Sequence, residues 1–165
     1  MKRILNVVEY NKASLWIRLA NNFIDLIILY IINYLFSSIS NFLYQVTSIE
    51  FFYFYSNGNI FWQLFIGNFN YCLYYFLMEN YTDGRSISKY ITGTKVISTD
   101  GTKPTAKQIF YRSLSRLVPF DGLSFFGNNG WHDSWSQTRV VNIKNYESEI
   151  QAKREIEAIG AKEFV

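Results

Sequence analysis

The amino-acid sequence predicts an all-α membrane protein: a two-helix transmembrane hairpin with short interfacial or cytoplasmic helices and a small extended turn. Three observations predict it. Aromatic residues make up 19% of the 165 residues and charged residues only 18%, against about 25% charged in an ordinary soluble domain. Two apolar stretches, residues 15–36 and 60–78, each come close to the roughly 20 residues that a helix needs to cross about 30 Å of hydrocarbon. All 16 lysines and arginines lie outside residues 19–84, as expected when two spans leave both flanks cytoplasmic and the tip outside. A mean hydropathy of −0.02 adds that part of the chain is aqueous. One domain, residues 13–143, followed by a charged helical tail at 144–165, accounts for the length.

Residues 1–12 read as polar and cytoplasmic. Lys2 and Arg3 precede an apolar run, but that run starts late and no small-residue cleavage site follows it, so an uncleaved first span is expected. ASLWIRLANN at 13–22 is an interfacial lead-in, with Trp16 and Arg18 at headgroup depth. In the first span Arg18, Asn22 and Asp25 recur at four and three and share one helix face, with Asn21 on its border. A carboxylate at that depth costs roughly 2.5–3.5 kcal/mol and needs a partner or water. Side chains lean towards a helix's N-terminus, so Asp25 is expected to meet Lys89, Arg112 or Arg116 rather than Arg18. Arg18 is expected to meet Asp133 or Glu79. Asp25 can then serve as a proton or cation relay, or as one half of a packing pair.

Residues 37–59, with FFYFY at 51–55, read as an outer loop anchored by aromatics. The second span carries its own stripe, Gln63, Gly67, Asn70 and Tyr74, where the glycine permits close approach and the amides can bond across to the first helix. Glu79 and Asp83 mark the cytoplasmic exit. TDGRSISK turns at Gly84 and opens a short helix at Ser86. TKVIST, DG and TKP suggest a small hairpin. Thr105 with Gln108 is a capping box; the helix behind it carries Gln108, Arg112 and Arg116 on one face and Ile109, Phe110, Leu114 and Leu117 on the other, the pattern of a basic interfacial helix. LVPFDGLSFFG at 117–127 suits a re-entrant or interfacial segment. The tail pairs Glu149 with Lys153 on a solvated helix.

These residues resemble the RDD family of bacterial membrane proteins, named for one arginine and two aspartates. Arg18 and Asp25 match the first helix. Glu79, Gly84, Ser86 and Lys89 match the segment after the second, although Ser88 stands where the family often has glycine. Gly93, Lys95 and Val96, then Gln108, Arg112 and Arg116, follow in order, and GWHDSWSQTRVV makes Asp133 the second aspartate. The PFDGLSF and GWHD form is similar to a Bacteroidetes-type variant. The resemblance implies a plasma-membrane protein of undefined molecular function, with transport proposed for the family and cation/proton exchange for some members.

Other classes find little support. One cysteine, Cys72, excludes an internal disulfide, and a single histidine makes a zinc site improbable. His132 lies between Trp131 and Trp135 and is either a pH sensor or a packed histidine. GRSISK lacks the second glycine of a P-loop, and the basic C-terminal part has no nucleic-acid motif. No catalytic set, metal or cofactor is expected. The partners expected are the lipid bilayer and either further copies of the chain or other membrane subunits. Transport or exchange of a small ion or solute by an oligomer is the leading expectation; a non-transporting assembly or scaffold protein with a structural Arg/Asp network is the alternative.

Overall fold

A computed structural model describes residues 6–118 and 130–162 and is mostly helical. Helix α1 spans Asn6–Tyr10, α2 Leu15–Thr47, α3 Glu50–Asn57, α4 Ile60–Tyr81, α5 Ile87–Thr92, α6 Ala106–Ser115, α7 Trp131–Trp135 and α8 Ile143–Lys162; strands β1, Thr94–Ser98, and β2, Thr138–Asn142, complete the order.

The first apolar helix does not stop near Phe36. It continues for 33 residues, about 50 Å at roughly 1.5 Å per residue. It starts at Ser14, whose hydroxyl accepts the Ile17 N–H, and ends at Ser48 in the left-handed conformation. The expected outer loop is therefore largely helical. Serine and asparagine at 37–41 do not break α2 because they face α3, where Ser40 donates to the Phe52 carbonyl (2.9 Å) and Asn57 donates to Asn41 (3.0 Å).

Helices α2 and α4 run antiparallel. Asn70 donates to Asn33 (2.6 Å) and Tyr74 to Asp25 (2.8 Å), so positions rise on one helix as they fall on the other. Among the described residues only α2 is both long and apolar enough to cross a membrane; α4 has the length, but Gln63, Asn68, Asn70 and its tyrosines lower its hydropathy. Apolar side chains on both helices face outward: Phe23, Tyr30 and Tyr34 on α2, and Ile60, Phe61 and Phe65 on α4, are each at least 60% exposed. Contiguous apolar surface of that extent marks contact with lipid or protein.

TKVIST does not form a local hairpin. The DG turn exists, with Gly101 at φ +80° and its N–H donating to the Ser98 carbonyl, but β1 pairs antiparallel with β2, Val96 opposite Val140. Side chains alternate across this pair. Ile97 and Val141 join Val7, Val8 and Tyr146 in a small core beneath α8, while Val96 and Val140 pack on Ala13 and Ile17 at the foot of α2. Residues 7–12, expected as polar and cytoplasmic, are thus tied in, and Ala13 N–H, at the start of the expected interfacial lead-in, donates to the Val140 carbonyl (2.9 Å). The capping box on α6 forms as expected, with Thr105 and Gln108 each bonding the other's backbone N–H. The re-entrant reading of 117–127 lies outside the described residues beyond position 118.

Candidate functional site

The foot of α2 buries Arg18, Asn21 and Asp25, three positions on one helical face. Around them close the end of α4, helices α5, α6 and α7, and β2. Helix α6 is amphipathic in the opposite sense to that of a soluble protein. Its Arg112 is fully buried and Arg116 nearly so, while Phe110, Tyr111 and Leu114 are 39–51% exposed. Only Ile109 of its apolar set points inward. The basic face seeks carboxylates, not headgroups.

Asp133 receives two guanidiniums. Arg18 Nη2 donates to Oδ2 and Arg112 Nη1 to Oδ1; Arg112 Nη1 also donates to Thr138 Oγ1 (2.8 Å). Arg18 is therefore buried in a pair with Asp133, one of the two partners expected for it. Glu79, fully buried, faces three cations: Lys89 Nζ at 2.9 Å, Arg112 Nε at 3.1 Å and Arg116 Nη2 at 3.6 Å. Arg112 thereby links the two carboxylates, and Arg116 also lies 4.0 Å from the centre of the Tyr75 ring. Burial alone would raise the Asp133 carboxyl, but Arg112, His132 and Arg18 outweigh it and hold it well below its ordinary range. For Lys89 burial wins over Glu79, and the ammonium loses its proton more readily than an exposed lysine.

Asp25 departs from expectation. It makes no ion pair among the described residues. Tyr74 and the Ser88 N–H donate to Oδ1 (2.8 and 3.2 Å), and the Ser86 and Ser88 hydroxyls donate to Oδ2 (2.6 and 2.7 Å). Ser86 does occupy the N-cap position of α5, but its side chain makes no capping bond. Asp25 takes over that task from another helix by accepting the first-turn Ser88 N–H. Neither Arg112 nor Arg116 pairs with it: Arg112 is drawn to Glu79 and Asp133, and Arg116 to Glu79. Lys89 comes nearest, through Ser86 Oγ at 3.1 Å. Ser88, which stands where the family often has glycine, is here a ligand of the aspartate. A hydroxyl at alternate positions of S-x-S-K was the signal in the sequence; a search for opposite charge passes over it.

The amide stripe divides. Asn21 donates to Thr94 Oγ1 (3.0 Å) and accepts from Thr92 (2.7 Å), locking α2 to the start of β1. Asn70 bonds across to α2, whereas Gln63 turns to the Ser56 carbonyl (2.8 Å). Gly67 permits no close helix contact; a Cβ built there meets nothing within 4 Å. It opens a cleft instead. A cavity of about 10 Å³, walled by Asn22, Asp25, Lys89, Arg112 and Arg116, adjoins a cleft of about 390 Å³ between α2 and α4 through the shared Asn22 and Arg116. Gln63, Gly67, Asn68 and Tyr71 line that cleft. Gln63 and Gly67 also line a further recess of about 130 Å³ with Asn33, Ser37 and Tyr55. Room for about one water at the charged end widens outward. His132 is buried with Nε2 3.6 Å from Asp133 Oδ1, below the stacked and exposed Trp131 and Trp135. Among the described residues no group of three or more His, Cys, Asp or Glu is placed to hold a metal.

Tyr74→Phe removes one neutral donor from a buried carboxylate and leaves the others. It is expected to cost about 1.5–3 kcal/mol, read by denaturant unfolding in micelles; a cost under 0.5 kcal/mol would mean that water replaces the phenol.

Charges sealed inward at the base of a helix long and apolar enough to cross a membrane, with aromatics turned outward, fit a helical membrane protein. The chain belongs to the RDD family, whose profile matches residues 12–141. The arginine and two aspartates that the family resemblance picked out, Arg18, Asp25 and Asp133, stand within this one site. No curated protein and no solved structure matches the chain.

Proposed function

We propose that the protein is a plasma-membrane exchanger or carrier of a small ion or solute, cation against proton being the leading case, working as an oligomer with α2 and α4 both spanning and both termini cytoplasmic. The run of recesses from the buried charges along the α2–α4 cleft, with Asn22, Gln63 and Asn68 among their lining, supports this reading. Charge distribution supports the orientation, since no Lys or Arg falls within 19–84. Gln63 and Asn68 are exposed at the depth of the apolar helices. Amides there are costly against hydrocarbon, which supports a neighbouring copy or water at the cleft.

A second reading has its own support. Four donors saturate Asp25, and a carboxylate so held suits a scaffold whose network only fixes the fold.

Everted vesicles separate the two. Cation-driven proton movement is followed for wild type, Asp25→Asn and Gly67→Leu at matched protein levels. Leucine at 67 meets no neighbour within 4 Å of its Cβ, relieves the helical cost of glycine, about 0.5–1 kcal/mol, and occupies part of the cleft that Gly67 lines. Activity in wild type that falls at least tenfold in Gly67→Leu supports passage through the cleft. Equal activity in both rejects that route, and none in wild type favours the scaffold.

A further inference from the structure

A second recess lies away from the charge cluster, about 260 Å³ between the α4–α5 turn, β1 and the 101–104 turn, and three cations from three separate elements line it: Arg85, Lys95 and Lys103. We propose that it binds a phosphomonoester, either the headgroup of an anionic lipid or a free phosphorylated metabolite of about glycerol size. Its volume is below the roughly 300–1,000 Å³ of drug-sized sites and suits a small ligand.

The recess is built, not merely a solvated basic face. Gly84 at φ +80° donates its N–H to the Glu79 carbonyl and accepts from Val96 N–H, both at 2.8 Å, and a Cβ there would stand 2.6 Å from the Val96 oxygen. This stitches the backbone entering Arg85 onto β1 beside Lys95. Arg85 has no ion-pair partner among the described residues, its Nε is buried without a hydrogen bond to them, and its guanidinium lies 5.3 Å from the centre of the Tyr90 ring. Lys95 lies 5.7 Å from the centre of the Tyr146 ring, which floors the site. Tyr146 in turn donates to the Gly101 carbonyl (3.2 Å) and pins the turn that carries Lys103. Val96, Ile97 and Pro104 supply the apolar wall.

Two carboxylates oppose the three cations, both on exposed side chains. Asp83 is the one carboxylate in the lining; it pairs with Lys103 and feels Arg85 and Lys95 as well. Glu147 reaches Lys95 at 3.1 Å, but its side chain is 59% exposed, and such surface pairs are worth about 0–1 kcal/mol and are readily exchanged. Neither carboxylate pairs with Arg85, and a dianion that displaces both exposed side chains meets all three cations. Arg85 presents a planar fork to two of its oxygens, and the lysines serve as point charges.

The test uses the full chain in neutral micelles and three probes: glycerol 3-phosphate, dioctanoyl phosphatidic acid, and dioctanoyl phosphatidylcholine as the zwitterionic control. Titration calorimetry is expected to show binding of at least one phosphomonoester and at least tenfold weaker binding in Arg85→Gln/Lys95→Gln, with partial recovery when Arg85 is replaced by lysine instead. Binding of phosphatidic acid alone assigns the lipid source; binding of glycerol 3-phosphate assigns the soluble one. Lys103→Gln, at a side chain 65% exposed, serves as the variant if the double substitution lowers the unfolding temperature. No binding of either phosphomonoester, binding untouched by the variants, or equal binding of phosphatidylcholine overturns the proposal.

Discussion

Asp133→Asn is expected to cost about 3–5 kcal/mol of stability, because it removes the buried carboxylate that the Arg18 and Arg112 guanidiniums share. That is a large part of the roughly 5–15 kcal/mol by which most domains are stable. Asparagine keeps the shape and one acceptor but not the charge, so Arg18 and Arg112 repel each other in a site where both are at least nine-tenths buried. Denaturant unfolding in micelles reads the loss, and adding Arg18→Met to the variant should recover part of it. A loss under 1 kcal/mol would show that water already screens the pair. Acid gives an independent view. The folded Asp133 carboxyl titrates below its ordinary 3.8, so its contribution is complete above about pH 4 and is lost as pH falls from there through the folded value. Wild type should weaken on acidification below about pH 4. Asp133→Asn should lack that component, and parallel slopes for the two proteins would refute the assignment.

Glu79→Gln is expected to be at least as damaging, since a single carboxylate there answers Lys89, Arg112 and Arg116. The glutamine still offers an oxygen to Lys89, yet three cations remain inside an enclosure with about one water's volume to spare. A loss of about 3–5 kcal/mol or failure to accumulate is expected. Lys89→Met in the same chain should restore part of the stability, with a coupling above about 1 kcal/mol in a double-mutant cycle. Strict additivity of the two substitutions would break the link between them.

Much of this was legible from spacing alone. The one-face run of Arg18, Asn22 and Asp25 located the buried foot of α2, Thr105 and Gln108 set the start of α6, and Arg112 and Arg116 were visible as its charged face. The direction of that face was not legible. A basic amphipathic helix looks the same in sequence whether its cations meet lipid or internal carboxylates, and only the placement of Glu79 and Asp133 decides it. Asp25 was misassigned because charge was weighed ahead of geometry; Tyr74, Ser86 and Ser88 satisfy its oxygens while the arginines have stronger attractions elsewhere. The β1–β2 pair escaped because its strands lie about 40 residues apart and each is only five residues long. Helix α2 overran its expected end because the polar residues at 37–41 found partners on α3, a tertiary effect that local polarity conceals.

The bond from Arg18 to Asp133 joins positions 115 residues apart. A ribosome adds roughly 5–20 residues per second, so the N-terminal arginine is made roughly 6–23 s before its aspartate. Glu79 appears in between, ahead of Lys89 and both α6 arginines. During that interval the nascent chain holds strong charges beside the membrane without their final partners. A chain ending before residue 133 would lack the carboxylate that Arg18 and Arg112 share. The last-made third of the polypeptide thus supplies the countercharge that the first holds in waiting.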